Sequence, residues 1–406
     1  MSLQVVEPRI RGFISLTSHP EGCAANIREQ VEVVRRAGIT AHIGTVLVIG
    51  SSTGYGLASA LVACFGYGAR TLGVCLEKAP EETKTATAGW YNLAEAHRLA
   101  RAEGRTFETI NGDAFSAEVK QQTVDALRRL GPVDLVIYSL AAPRRRDTHT
   151  GEIWNSTLKP IGRRYTGKAF DLRGEAVTSA SIDAATRDEI ENTVRVMGGE
   201  DWSDWIELLL HEQLLAPGAR TIAYSYIGPE LTAAIYRDGT IGHAKEHLEE
   251  TGHTLDRVLG GAVGGGAWVS VNKAVVTQAS AAIPAVPLYL SVLMKLMKER
   301  GTHEEAIEQI VRLFRDYAAP GVTPATDAHG RIRLDDREMA PDVQSEVAAI
   351  WEQLSTENFR ALSDYGGYRL AFHRLFGFDV PGVDYGAPTE VNRSLDQVGS
   401  RPAESR

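Results

Sequence analysis

The sequence predicts an α/β fold built on a doubly wound parallel sheet, and three observations carry that prediction. Short apolar runs (Thr45–Ile49, Thr71–Leu76, Thr106–Ile110 and Val133–Tyr138) alternate with longer helix-like stretches. Such runs, bounded by glycines and lacking polar alternation, suit strands buried on both faces. The first run ends in a glycine-rich turn, Gly50-Ser-Ser-Thr-Gly54-Tyr-Gly56, that opens a helix. The composition, 43% hydrophobic and 23% charged over 406 residues, is that of an ordinary globular chain. Strands alternating with helices and joined by right-handed crossovers give an open sheet covered on both sides.

The elements follow in order. A helix-like opening (Ala25 to Arg36) precedes the first strand, and a small-residue helix from Gly56 to Phe65 follows the glycine turn. The second strand leads to a helical stretch from Glu82 to Glu103, the third to a helix from Ser116 to Leu130, and then comes the fourth strand. Polar, arginine-rich sequence breaks the rhythm between about 143 and 215, which reads as an insertion. The rhythm resumes at Thr221–Tyr224, a fifth strand, and helices dominate from about 230 to 318, including Glu304 to Asp316. A second addition covers 319–390 with a helix near Asp342 to Leu354, and the polar residues from 391 read as a frayed tail. The expectation is one large domain over 1–406, its sheet core within about 38–318.

Charge and cysteine usage narrow the function. The formal net charge is −9, and the one basic run, Arg144-Arg145-Arg146, is too short for a nucleic-acid surface. Three cysteines, Cys23, Cys64 and Cys75, are an odd number without metal-like spacing, as a reducing compartment allows. With no charged-then-apolar leader at the N-terminus, the expectation is a cytoplasmic protein. Residues 274–294 contain no charge and are long enough to span a bilayer, but Thr277, Gln278, Ser280, Pro284 and Pro287 favour a buried helix broken at its prolines.

The glycine turn is the first candidate site. Its glycines permit a sharp bend and close ligand approach, while the helix start offers free N–H groups and a positive dipole end to a pyrophosphate. The spacing G-x-x-x-G-x-G resembles the variant of short-chain dehydrogenases and reductases, so Gly50, Ser51, Ser52, Thr53, Gly54, Tyr55 and Gly56 are candidate cofactor contacts. The same residues spell G-x-S-x-G, the nucleophile elbow of α/β-hydrolases, with Ser52 as nucleophile. Against a hydrolase, little chain precedes the loop and no oxyanion segment lies upstream. Glu77, ending the second strand, suits the ribose hydroxyls of NAD and repels the 2′-phosphate of NADP. Asp113-Ala114 after strand three and Leu140-Ala141 after strand four fall where a dinucleotide meets the strand ends.

Beyond the fifth strand stand Tyr226, Tyr236 and Lys245. A reductase needs a phenol as acid and an ammonium beside it. Here eight residues separate Tyr236 from Lys245, and Asp238-Gly239 argues against one continuous helix between them. The Y-x8-K interval after Tyr-Ser-Tyr-Ile-Gly resembles the NADH-dependent enoyl-ACP/trans-2-enoyl-CoA reductases of the FabV type. Further segments agree: Pro8–Phe13 with Thr17–Cys23, Ser139–Arg145, Thr150-Gly-Glu with Leu158–Gly162, Val269–Ala274 with Val276–Pro284, Leu375–Phe378, and Gly382–Tyr385. The likeness runs from about residue 8 to 386.

The resemblance implies a Rossmann-type, short-chain-dehydrogenase-like fold with insertions covering the active site, in a monomer. It implies hydride transfer from NADH to Cβ of a trans-2-enoyl thioester of coenzyme A or acyl carrier protein. Tyr236 is then the proton donor, Lys245 the cofactor contact, and Tyr226 the residue at the substrate carbonyl. Val275, Val276 and Thr277 face the nicotinamide end, and the apolar run beyond Thr277 lines the acyl site. A dinucleotide-binding protein without turnover is the remaining alternative.

Other features read more plainly. His243 and His247 share a helix face and His253 follows, but the glutamate of a zinc protease is missing and no metal is expected. Trp202 and Trp205 read as a helix packing face. Gly260–Gly266 reads as a flexible surface connection, with a second phosphate loop as the alternative. Arg144 to Arg146 suit either a solvated loop or the steering of phosphates.

Overall fold

In the structure, a computed structural model describing residues 3–82, 84–148 and 150–398, seven strands hydrogen-bond into one sheet. We number them β1 (Thr45–Ile49), β2 (Arg70–Cys75), β3 (Phe107–Asn111), β4 (Val133–Tyr138), β5 (Leu215–Ser225), β6 (Gly266–Val271) and β7 (Ile332–Arg333). Their order across the sheet is β7-β6-β5-β4-β1-β2-β3, and every pair is parallel. The order reverses between β1 and β4, where a doubly wound sheet opens its ligand crevice. All five residues of β1 are buried, as its unbroken apolar run requires.

Two cores form, one on each face. Helices Pro20–Arg36, Gly54–Leu61, Ala88–Ala102 and Val286–Glu299 pack on one side. On the other, Ala117–Leu130, Glu200–His211 and Thr240–Val263 contribute Val119, Trp202, Trp205, Leu248 and Leu255. Both tryptophans are fully buried and Trp202 Nε1 donates to Thr221 Oγ1 at 2.8 Å, so they are packing residues. The segment from 143 to 215 holds two antiparallel hairpins, Arg144–Arg146 with Ile153–Asn155 and Tyr165–Asp171 with Ala176–Ile182. Its last helix, Glu200–His211, is the β4-to-β5 crossover and part of the sheet's own covering layer.

Several sequence expectations need correction. β6 and β7 lie in stretches read as helical or as an addition. Only two residues of β7 pair, and β6 follows a run of glycines, so neither has a clear strand signature. Those glycines form neither a phosphate loop nor a flexible connection. Helix Thr240–Val263 runs through Gly260 and Gly261 and ends on Gly264 at φ +68°, and a Cβ on Gly265 would lie 1.8 Å from the Ala219 carbonyl oxygen. The glycines let the chain reverse directly against β5. The helix read from Glu82 begins only at Ala88, because Thr87 Oγ1 is held by Glu77 Oε2 and its N–H by Lys78 O. The supposed frayed tail is packed over 391–398: Thr389–Glu390 pairs with Leu3–Gln4, Val391 and Leu395 are buried, and Trp90 Nε1 donates to Arg393 O at 2.7 Å. Residues 399–406 lie outside the described residues.

The apolar segment 274–294 forms an extended stretch, a short helix Gln278–Ala281, and the buried helix Val286–Glu299 with Pro287 in its first turn. No helix among the described residues is long and apolar enough to cross a membrane. Cys23, Cys64 and Cys75 are free, buried thiols.

Candidate active site

A cleft of about 2290 Å³ opens at the carboxyl ends of the strands. It exceeds the usual range for a single small ligand, about 300–1,000 Å³, and has room for a dinucleotide with a second substrate. Gly50, Ser52, Thr53, Gly54 and Tyr55 line it, as do Glu77, Asp113, Ala114, Leu140 and Ala141 from the next strand ends. Tyr226, Tyr236, Lys245, Val275, Val276 and Thr277 line the same cleft. Two predicted cofactor residues do not line it. Ser51 is fully buried with its N–H and hydroxyl on Val74 O, and Gly56 lies beneath the loop.

The loop is shaped for close approach. Gly50 has φ +90°, and a Cβ there would lie 2.1 Å from Ser139 O; on Gly56 it would lie 1.9 Å from Gly50 O. The helix Gly54–Leu61 has Thr53 as its N-cap with no side-chain cap bond, so the first-turn amides face the cleft unclaimed. This cradle fits a pyrophosphate. Glu77 is held by Ser52 Oγ at 2.5 Å and by Thr87 Oγ1, above Gly89, where a Cβ would lie 2.1 Å from Glu77 Oε1. Burial pushes the Glu77 carboxyl above its ordinary range, and the Ser52 and Thr87 hydroxyls oppose that. With its hydroxyl given to a carboxylate and no histidine bonded to it among the described residues, Ser52 is not arranged as a nucleophile.

The tyrosine pair sits across the cleft. Tyr226 follows the end of β5, and Tyr236 follows the 3₁₀ turn Glu230–Ile235 just before helix Thr240–Val263. As the Asp238-Gly239 pair implied, no continuous helix joins Tyr236 to Lys245. The rings of Tyr226 and Tyr236 meet edge to face at 5.0 Å. The Tyr236 turn closes onto the helix, with Gly242 N donating to Tyr236 O at 3.0 Å. Gly242 has to be glycine, since a Cβ would lie 1.7 Å from Arg237 O. Burial raises the Tyr236 phenol well above its ordinary value, so it keeps its proton at neutral pH. Lys245 Nζ donates to Tyr224 O at 3.1 Å, and burial lowers the ammonium to about 8 against the pull of Glu249. Thr277 caps the short helix after it, accepting from Ser280 N at 3.0 Å.

The remaining candidates separate here. Arg145 is committed to Glu200 and Asp204 and lies over the Phe115 and Trp154 rings, whereas Arg144 and Arg146 are exposed on the cleft rim. His247 Nδ1 accepts from Gly199 N at 3.0 Å and His243 pairs with Glu246. No group of three metal-ligating side chains occurs among the described residues. One site residue escaped sequence reasoning: Glu338, buried behind Tyr226 and accepting from its hydroxyl at 3.0 Å.

A parallel sheet with this strand order, a glycine cradle and a phenol–ammonium pair in one cleft defines a Rossmann-type, dinucleotide-dependent oxidoreductase. Comparison with known proteins narrows the class. Residues 84–318 match the trans-2-enoyl-CoA reductase catalytic region and residues 5–82 the NAD(P)H binding domain of that enzyme. Residues 326–389 match a model described as an enoyl reductase FAD binding domain. The enoyl-[acyl-carrier-protein] reductase [NADH] of Flavobacterium johnsoniae is 54% identical over 97% of this chain and 100% of its own. That of Opitutus terrae is 52% identical over 95% of this chain and 98% of its own. Among solved structures, Clostridium acetobutulicum trans-2-enoyl-CoA reductase with NADH superposes with TM-score 0.94 at 40% identity, covering 98% of this chain and 100% of that one. The Treponema denticola enzyme with NAD gives 0.91 at 46%, covering 97% and 100%. The chain belongs to the NADH-dependent enoyl-[acyl-carrier-protein]/trans-2-enoyl-CoA reductase family.

The region matching the FAD model does not fit a flavin. Its Phe359, Tyr368, Phe372 and Phe378 are buried in the core. Of its two longer helices, Pro341–Gln353 starts on a proline and Tyr365–Arg374 is capped by Asp364, which accepts from Gly367 N at 2.9 Å.

Proposed function

We propose that this chain reduces the double bond of trans-2-enoyl thioesters with NADH, using Tyr236 as proton donor, Lys245 as the ribose contact and Tyr226 at the thioester carbonyl. The observation that carries the reading is the meeting of the glycine cradle and the Tyr226–Tyr236–Lys245 group in one cleft. Bound NADH supplies the hydride that adds to Cβ of the substrate. The chain's own task is the charge that then develops on the thioester oxygen, which a preorganised donor stabilises most strongly in a site sheltered from water. The Tyr236 phenol, protonated at neutral pH and with no hydrogen-bond partner for its hydroxyl among the described residues, has its O–H free for that oxygen. The Lys245 ammonium, anchored on Tyr224 O, keeps donors over for a ribose hydroxyl. Ile283, Val286 and Met294 of the apolar segment line the cleft and suit an acyl chain. Arg144 and Arg146 on the rim suit the phosphates of coenzyme A or an acidic carrier protein. The same reading takes the chain as one domain working as a monomer in the cytoplasm, to be checked by sedimentation and fractionation.

The direct test is NADH oxidation with crotonyl-CoA, followed by absorbance. Turnover is expected with NADH, and no loss with crotonyl-CoA, a longer enoyl-CoA or an enoyl carrier protein removes the proposal. With NADPH the rate falls, because the added phosphate meets the Glu77 carboxylate. Glu77→Gln removes that charge and is expected to raise kcat/KM for NADPH about tenfold, one charged contact being worth about 1.5–3 kcal/mol. Equal rates with both cofactors in the parent enzyme would take Glu77 out of cofactor selection.

A pH effect follows from Lys245. Its charged form is lost as pH rises through about 8, so NADH affinity is full below that value and weakens above it. Loss of one charged contact is expected to raise the dissociation constant about tenfold between pH 7 and 9.5. Fluorescence titration reads it. In Lys245→Met the constant is weak and flat with pH, and a persisting step in that variant would assign the titration to another group.

A further inference from the structure

We propose that Glu338 is a positioning residue for the reduction, holding the Tyr226 phenol and the Ala274 amide in one buried clamp. The proposal rests on the reading of Tyr226 as the substrate-facing tyrosine and of 275–277 as the nicotinamide-facing segment. Glu338 is fully buried and arrives from the segment after β7, 112 residues beyond Tyr226. Its Oε1 accepts from Tyr226 at 3.0 Å and from Tyr289 at 2.6 Å, and its Oε2 accepts from Ala274 N at 2.6 Å. The clamp is itself held: Gln344 Nε2 donates to Glu338 O at 2.7 Å and to the Tyr289 hydroxyl at 3.2 Å.

Backbone accounting shows what the clamp is for. Residues 273 and 274 leave the end of β6 and belong to no helix or strand, so their buried N–H and C=O groups need other partners. Side chains provide all four. Gln309 Oε1 accepts from Lys273 N at 2.9 Å, and the Tyr55 hydroxyl donates to Lys273 O. Glu338 takes Ala274 N, and the buried Lys273 Nζ donates to Ala274 O at 2.6 Å. Tyr55 belongs to the glycine loop, so this peptide is tied at once to the cofactor cradle and, through Glu338, to Tyr226.

Stability alone is a poor reason for such a group. Burying a carboxyl and an ammonium costs about as much as their attraction returns, and apolar residues of similar volume often serve as well. What Glu338 gives is a fixed spacing between Tyr226 and the segment leading into Val275, and misplacement by about 1 Å at such a site costs up to about 10²-fold in rate.

The test is a double-mutant cycle on the full-length enzyme, reading kcat with crotonyl-CoA and NADH affinity by fluorescence. Glu338→Leu is expected to lower kcat about tenfold. Glu338→Gln, which offers a carbonyl to Ala274 and an NH₂ group to the two phenols, is expected to stay within about threefold of the parent. NADH affinity holds in both, because the pyrophosphate cradle and Glu77 lie elsewhere in the cleft. In a Tyr226→Phe background, Glu338→Leu should cost less than it does in the parent, because the Tyr226 arm of the clamp is already gone and residues acting as a unit are not additive. Losses that multiply, or a Gln variant as impaired as the Leu variant, overturn the clamp. Full turnover in Tyr226→Phe alone overturns the reading of Tyr226 and the clamp with it. Where Glu338→Leu gives no folded protein by circular dichroism, Glu338→Asp, too short to reach both Tyr226 and Ala274, carries the same cycle.

Discussion

Tyr236→Phe is expected to lower kcat by about 10²–10⁴-fold, the range for a positioned general acid, and to leave NADH affinity unchanged. Phenylalanine keeps the edge-to-face contact with Tyr226 and the backbone contacts of the turn, so the variant removes only the hydroxyl. Single-turnover NADH oxidation reads the loss, and fluorescence titration reads the retained binding. A variant with parental kcat would pass the proton-donor role to another group, Tyr226 first. That alternative has a cost in this structure, because the Tyr226 hydrogen is already directed at Glu338.

The second large effect comes from a residue with no chemistry of its own. Gly242→Ala places a methyl group 1.7 Å from Arg237 O and 2.8 Å from Tyr236 O, so the turn carrying Tyr236 has to lift off the helix. Overpacking of this kind costs about 1–3 kcal/mol of stability, and a shift of about 1 Å at the acid costs about 10²-fold in kcat. The helix Thr240–Val263 and Lys245 keep their places on the sheet, so NADH binding is expected to survive. A crystal structure of the variant would show the displaced turn. Parental kcat in a folded Gly242→Ala enzyme would mean that the Tyr236 turn is not a fixed platform.

How much of this was legible in the sequence depended on how local each cause is. β1 to β4 announce themselves because strands buried on both faces have to be continuous apolar runs, and the cradle because its bends demand Gly50, Gly54 and Gly56. The tyrosines and Lys245 were legible through family likeness; a tyrosine and a lysine nine positions apart carry little by themselves. β6 was hidden by the glycines that let it start against Ala219, and β7 by having only two paired residues. Ser51 shares the loop with residues that line the cleft, and only the structure shows its hydroxyl turned to Val74 O of β2. Glu338 gave no signal at all. It stands among Asp335, Asp336 and Arg337, where a charged residue normally reads as solvated, and only the long-range closure onto Tyr226 and Tyr289 buries it.

That closure also sets an order of events during synthesis. The edge strand β7 and the carboxyl group behind Tyr226 come from the last fifth of the chain, and that carboxyl group lies 112 residues after the tyrosine it holds. At about 5–20 residues per second, a ribosome takes on the order of ten seconds to cover that distance. Throughout that interval the chain already carries the residues of the cradle and of the Tyr226–Tyr236–Lys245 group but not yet the carboxyl group that closes behind Tyr226. The carboxyl group behind Tyr226 therefore takes its place only after more than four fifths of the chain has been made.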